Sequence, residues 1–263
     1  MKKKLLAALL IGVLIGVGML AGCKTVPIDV EEGLLTTETY DFTDFTGVEV
    51  GHAFELEVTP SDNYSITITA REKTLDNITV SRDGDLLKIE LDSWWLTWHT
   101  TPKVTITMPS LQRLDLSGAA QGEARGFRST SDFEVELSGA SNLDLDMGAG
   151  AFRADISGAS SLSGHLEATS SDIELSGASD ASLTGSGGDL VIDGSGASRY
   201  NLAGYAVNDA SVELSGASSA ELTVNGRMDV HLSGASKLEY FGDPTLGTLD
   251  ISGASDLEYK TAP

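Results

Sequence analysis

From residue 114 onward the chain alternates apolar and polar residues in short runs, and the runs recur. Val135 and Leu137, Ile173 and Leu175, Val212 and Leu214, and Val230 and Leu232 are apolar pairs with one polar residue between them. Alternation of period two predicts a strand with one buried face. A second set of pairs follows: Leu143 and Leu145, Tyr200 and Leu202, Leu238 and Tyr240, Leu257 and Tyr259. Between the two sets stands Ser-Gly-Ala, beginning at Ser117, Ser138, Ser157, Ser176, Ser195, Ser215, Ser233 and Ser252. The steps are 21, 19, 19, 19, 20, 18 and 19 residues. With that serine as position zero, Gly at +1 and Ala at +2 predict a bend between two strands.

A fixed period near 20 residues marks a solenoid, in which each repeat stacks only on its neighbours. Helical solenoids need a 3.6-residue period, and none is present. The Leu/Asn spacing of leucine-rich repeats and the calcium-binding nonapeptide are also absent. The pattern therefore predicts an all-β fold, a parallel β-helix over residues 111–263, with one coil per ~19 residues and ~4.8 Å between coils.

Residues 37–110 alternate in the same way but lack Ser-Gly-Ala. Strands are expected at Gly47–Val50, Phe54–Val58, Tyr64–Ala70, Ile78–Arg82, Leu86–Leu91 and Lys103–Met108. Turn formers separate them, notably Pro60-Ser61-Asp62-Asn63 and Arg82-Asp83-Gly84-Asp85. The open end of a solenoid must be covered, so 37–110 is expected to be an irregular β cap at the N-terminal end. All three tryptophans, Trp94, Trp95 and Trp98, fall in one stretch of it. Aromatic faces stack on sugars and tryptophan favours the lipid interface, which makes the three a candidate ligand-binding surface. The competing expectation, and the preferred one, is a plug closing the cap's hydrophobic end.

The N-terminus has a different pattern. Three lysines follow Met1, then an apolar run from Leu5 to Leu20, then Ala21-Gly22-Cys23. A basic start, a short apolar core and small residues before a cut site predict a secretory signal over 1–22. The run is shorter than the ~20 residues a membrane-spanning helix needs. Leu20-Ala21-Gly22-Cys23 resembles the lipobox of bacterial lipoproteins. That resemblance implies cleavage before Cys23 and a diacylglyceryl group on its thiol. Cys23 is the chain's one cysteine, so no disulfide is expected. Residues 23–36 then form a lipidated tether. The membrane is a partner through Cys23, on the extracytoplasmic side of a bacterial envelope.

Charge narrows the partners. The chain holds 39 Asp and Glu against 17 Lys and Arg, a net charge of −22. Each phosphate contact needs a cation, so nucleic acid is excluded. Within the repeats the acid is ordered. Position −2 holds Asp115, Glu136, Asp155, Glu174, Asp193, Glu213, His231 and Asp250. Position +6 holds Glu123, Asp144, Ser163, Ser182, Asn201, Glu221, Glu239 and Glu258. Stacked carboxylates either splay into water or recruit cations. Calcium normally takes about 6–8 oxygens, and a solvated face without metal is the preferred expectation. Serine at 0 and +3 recurs in nearly every coil, Ala120 being the exception, and four histidines cannot serve as base to so many hydroxyls. His231, Ser233 and Asp250 could be drawn as a triad, but geometry defines a triad and a shared face does not. Hydroxyl ladders bonded coil to coil are expected instead, with no catalytic residue and no cofactor.

Reiterated Leu-Ser-Gly-Ala-Ser, with Pro-Ser-Leu-Gln-Arg-Leu-Asp-Leu-Ser-Gly-Ala at 109–119, resembles the putative auto-transporter adhesin head, or GIN-domain, family. The resemblance spans residues 40 to 260 and implies a right-handed β-helix in the cell envelope. It carries no catalytic residues over. The functional expectation is a lipid-anchored, non-catalytic adhesion or scaffolding protein whose partner is a surface glycan or an envelope protein. Polysaccharide-active enzymes also use β-helices, but an active site should break the repeat, and these carboxylates follow it. An accessory lipoprotein of envelope stress or assembly is the third class.

Overall fold

The computed structural model describes residues 34–92 and 101–261. Cys23 and the tryptophans Trp94, Trp95 and Trp98 lie outside them. On the N-terminal side the strands are β1 (Leu35–Tyr40), β2 (Gly47–Val50), β3 (Glu55–Pro60) and β4 (Ser65–Arg71). One turn of helix, α1 (Glu72–Leu75), leads to β5 (Ile78–Asp83), β6 (Leu86–Leu91) and β7 (Lys103–Met108). The repeats supply β8 (Arg113–Leu116), β9 (Gln121–Arg128), β10 (Phe133–Leu137), β11 (Asn142–Ile156), β12 (Ser161–Leu175) and β13 (Asp180–Gly194). They continue with β14 (Arg199–Val207), β15 (Ala210–Leu214), β16 (Ser219–Val224), β17 (Arg227–Leu232), β18 (Lys237–Phe241), β19 (Thr245–Ile251) and β20 (Asp256–Tyr259). All twenty belong to one sheet wound into a β-solenoid.

Coil stacks on coil in parallel register. Asn142 pairs with Ser161 and Ser161 with Asp180, and the same 19-residue step holds along β11, β12 and β13. Inside run continuous apolar columns. Val135, Ala154, Ile173, Ile192, Val212 and Val230, all at −3, are fully buried. Burying one such aliphatic side chain contributes ~1.5–3 kcal/mol, and the repeat supplies four inward positions per coil.

The bend is built from main chain. Ala178 N–H donates to the Gly158 carbonyl at 2.8 Å, and Ala197 N–H to the Gly177 carbonyl at 2.8 Å. The ladder thus continues around the corner, so no backbone group is lost there. Gly177 and Gly216 have φ of +76° and +70°, and a Cβ on either would lie 2.5 Å from the carbonyl oxygen of the glycine one coil earlier. Only glycine meets both demands without strain. The serine at +3 points inward: Ser141, Ser160, Ser179, Ser198, Ser218 and Ser236 are all buried. Ser141 and Ser160 hydroxyls lie 3.3 Å apart, and those of Ser198 and Ser218 3.2 Å. Ser179, Ser198 and Ser218 also donate back to the carbonyl of their own corner serine. Coil-to-coil hydroxyl bonds thus occur at two of these steps, beside local bonds to the corner carbonyl.

Residues 47–60 already form a coil of this kind. β2 pairs in parallel with β8, and β3 with β9. Their connection, Gly51-His52-Ala53-Phe54, bonds to the first Ser-Gly-Ala: Ser117 N–H to the Val50 carbonyl and Ala119 N–H to that of His52. His52 occupies the left-handed station that glycine takes afterwards, with φ of +65°. Beyond this coil lies a later one: β6 pairs in parallel with β2, and β7 with β3. The stack ends in antiparallel strands, β5 on β6, β4 on β7 and β1 on β4. The Asp83–Leu86 pair closes the β5–β6 hairpin around Gly84, whose φ is +63°. At the other end, the inward columns finish in Leu249, Ile251 and Tyr259, which are 46%, 42% and 56% exposed.

Candidate functional surface

The outward positions of β8 to β13 carry the densest ordered chemistry. In the −2 column Glu49 precedes Asp115, and Lys88 stands one coil further out, 3.3 Å from Glu49. The acidic columns are interleaved with cations that the −2 and +6 pattern omits. Arg113, at −4, reaches Asp115 at 2.8 Å, Glu134 at 3.2 Å and Glu136 at 3.1 Å. Arg153, also at −4, reaches Asp172 at 3.2 Å and Glu174 at 2.8 Å. On a strand, residues two apart share a face and paired residues sit one spacing above. One guanidinium therefore spans two coils, and its planar fork suits two carboxylates.

The +6 column is managed likewise. Arg125 lies 3.5 Å from Glu123 and 3.2 Å from Asp144, and Lys103 lies 3.1 Å from Glu57. Lys103, Glu57, Glu123 and Asp144 edge a cleft of about 340 Å³ floored by Leu56, Gly122 and Leu143. Gly122 takes an inward position, where a Cβ would lie 2.7 Å from the core atom Leu116 Cδ1. Near the end of the stack Lys260 joins Glu239 at 3.4 Å and Glu258 at 3.0 Å, and Lys237 also bonds Glu239.

Two groups depart from ordinary acidity for opposite reasons. Burial pushes the Asp115 carboxyl up against the pull of Arg113, and its Oδ1 has no hydrogen-bond partner among the described residues. Arg227 grips Asp229 through two bonds of 2.7 Å and holds its carboxyl well below the usual range. Among the described residues no three His, Cys, Asp or Glu side chains converge as a metal would require. His231 Nδ1 stands 3.8 Å from Asp250 Oδ2, outside hydrogen-bond reach, and both side chains are exposed. The cluster at 231, 233 and 250 lacks the bonded geometry of a triad.

The described surface is thus an ion-paired, repeat-locked β-solenoid face. A model of the family described as "Putative auto-transporter adhesin, head GIN domain" matches residues 44–244. The chain belongs to this GIN-domain family. The match begins just before the coil of His52, ahead of the first Ser-Gly-Ala. No curated protein matches the chain. Solved structures share this fold. A "putative adhesin" from Parabacteroides merdae has a TM-score of 0.80 at 16% identity, over 87% of this chain and 97% of that one. Two proteins from Parabacteroides distasonis, a "putative adhesin" at 18% identity and a "putative lipid binding protein" at 14%, each have a TM-score of 0.77. Each spans 87% of this chain and 98% of its own. At such identities the likeness shows the fold.

Proposed function

We propose that this GIN-domain protein is a lipid-anchored, non-catalytic adhesion or scaffolding protein of the cell envelope. The adhesin description of its family and the adhesin and lipid-binding names of its structural neighbours support a binding role. One observation carries the reading furthest: the outward charge follows the repeat coil after coil and is bridged in part by Arg113, Arg125 and Arg153. General acid–base or nucleophilic catalysis needs a base or an activated nucleophile positioned on a substrate atom. The described face instead offers an ordered polar surface for contact.

The anchor is Cys23, behind Leu20-Ala21-Gly22. The tryptophans Trp94, Trp95 and Trp98 lie in the connection from β6 to β7 and are the candidate contact for a surface glycan. Cys23→Ser tests the anchor. It should abolish labelling by a palmitate probe and move the protein from the membrane fraction to the soluble one. A mutant that still labels, or that stays membrane-bound like the wild type, overturns the anchored reading.

A further inference from the structure

We propose that the groove ending at Val191 docks a basic peptide segment of a partner protein. A lysine or arginine of that segment takes the station in the charge ladder that this chain fills with valine. The inference rests on the non-catalytic binding reading and names the chemistry of the partner.

The ladder defines the station. At −4, Arg113 and Arg153 stand two coils apart, and each reaches the −4 and −2 carboxylates of the coil that follows. Arg113 reaches Glu134 and Glu136, and Arg153 reaches Asp172 and Glu174. Two coils beyond Arg153, through Asp172, the same station is held by Val191. The carboxylates a cation there would join are Asp193, two residues on along β13, and Glu213, its paired residue on β15. Neither has an ion pair among the described residues, and nor does Asp189, two residues before Val191. Residues two apart on a strand share a face, so Asp189, Val191 and Asp193 point the same way.

The groove supplies an apolar wall beside that charge. Val191 is 46% exposed and stands at one end of a groove of about 570 Å³ that reaches back to Phe133 and Phe152. Ala151 and Ser170, both small, line it at −6, with Asp172 and Asp189 beside them. From β10 to β13 is three steps of ~4.8 Å, the reach of about four residues of extended chain.

These two features together select the occupant. A metal ion gains nothing from valine and wants about 6–8 oxygens. A neutral glycan leaves Asp193 and Glu213 without a counter-charge, and an anionic one is repelled. Lysine and arginine lay a methylene stem on apolar surface and hold the charged head at its edge. Here the stem lies on Val191 and the head between Asp193 and Glu213, while an apolar neighbour in the segment enters the groove. Net charge of −22 draws such a segment towards the chain.

The test titrates the full-length Cys23→Ser chain calorimetrically with the capped peptide Lys-Leu-Lys-Leu-Lys-Leu. Salt at ~0.15 M screens bulk attraction beyond ~8 Å. Val191→Arg supplies the cation from within the chain and should weaken binding ~10-fold or more, with circular dichroism unchanged. Asp193→Asn combined with Glu213→Gln should weaken it likewise, and carries the test if Val191→Arg disturbs the fold. Glu221→Gln, which removes one charge from the +6 column, should leave the affinity as it was. No binding, or equal binding by wild type and both groove variants, overturns the proposal. A loss as large from Glu221→Gln also overturns it, as the mark of bulk charge attraction. So does equal binding of Ser-Leu or Glu-Leu peptides of the same length, which would leave an apolar groove without a cation site. Peptide recovered cut would sink the non-catalytic reading and leave the docking site standing, whereas failure to bind removes the docking site alone.

Discussion

One carbonyl oxygen decides which residue can stand at the bend. On Gly177 a Cβ would sit 2.5 Å from the Gly158 oxygen, at a φ of +76°. That oxygen already accepts the Ala178 N–H, so moving it breaks the corner ladder. Left-handed strain of ~1–2 kcal/mol for a residue with a side chain and the clash act together. Gly177→Val and Gly216→Val are each expected to lose ~2–3 kcal/mol of stability. His52 carries the strain today, at φ +65° in the same station. His52→Gly should therefore stabilise by ~0.5–1 kcal/mol, the relief of strain exceeding the added chain entropy. Thermal unfolding of the three variants should show opposite signs. Equal losses in all three would remove the strain argument.

At the scale of an element, the repeat absorbs a large residue by deleting a neighbouring one. Tyr200 occupies an inward +5 position and is fully buried. Its space comes from Gly194, where most coils carry Leu or Ile: a Cβ there would lie 2.8 Å from the Tyr200 ring and 2.7 Å from Leu214. The Tyr200 hydroxyl accepts the Leu175 N–H at 3.1 Å and has the Ile173 and Asp193 carbonyls in reach. Gly194→Leu, which restores the repeat, is expected to cost ~1–3 kcal/mol by overpacking. Tyr200→Phe should cost ~1–2 kcal/mol by stranding a buried N–H. Burial also pushes the Tyr200 phenol far above its ordinary value. The folded form then keeps its proton while the unfolded chain ionises. The contribution is whole below a pH of about 10 and is lost as pH rises toward the folded value. Denaturant unfolding near pH 8 and near pH 11 should show a shallower alkaline loss for Tyr200→Phe than for wild type.

The two-strand coil and its bend are readable from alternation and Ser-Gly-Ala because both are local signals. Six strands upstream are readable for the same reason, three of them to the residue at Gly47–Val50, Leu86–Leu91 and Lys103–Met108. The order of stacking is not. β6 and β7 lie outside β2 and β3 although they follow them in sequence. That order is set by long-range strand pairing, on which a period-two pattern is silent. The coil at 47–60 is masked by two substitutions, Gly for Ser at position 51 and His for Gly at position 52. Val48-Glu49-Val50 ahead of Ala53 and Phe54 is the signal that aligns it with Leu114-Asp115-Leu116 ahead of Ala119 and Ala120. On the surface the carboxylate columns are visible in the repeat. The arginines that bridge them are not, because Arg113, Arg125 and Arg153 stand at positions with no consensus.

For the whole molecule, charge is the largest unbalanced quantity. Acidic residues outnumber basic ones 39 to 17, so bridging arginines cannot neutralise both columns. Asp155, Asp193, Glu213 and Glu221 have no ion pair among the described residues. Exposed ion pairs such as Arg153–Glu174 contribute ~0–1 kcal/mol each, and salt weakens them. Salt weakens the repulsion between stacked carboxylates as well, and repulsive neighbours are in the majority. Sodium chloride up to about 0.5 M should therefore raise the melting temperature, since like charges one strand apart are closer than the ~10 Å screening length at 0.1 M. Calcium at matched ionic strength should add nothing further, because a calcium ion wants about 6–8 oxygens and Glu174 is already bonded to Arg153 at 2.8 Å. Melting curves in sodium, magnesium and calcium chloride decide between screening and binding. A saturable rise that only calcium gives, and that Glu174→Gln removes, would mean that the −2 column binds metal. An identical rise in all three salts would mean that the face is held apart from itself by solvent and arginine alone.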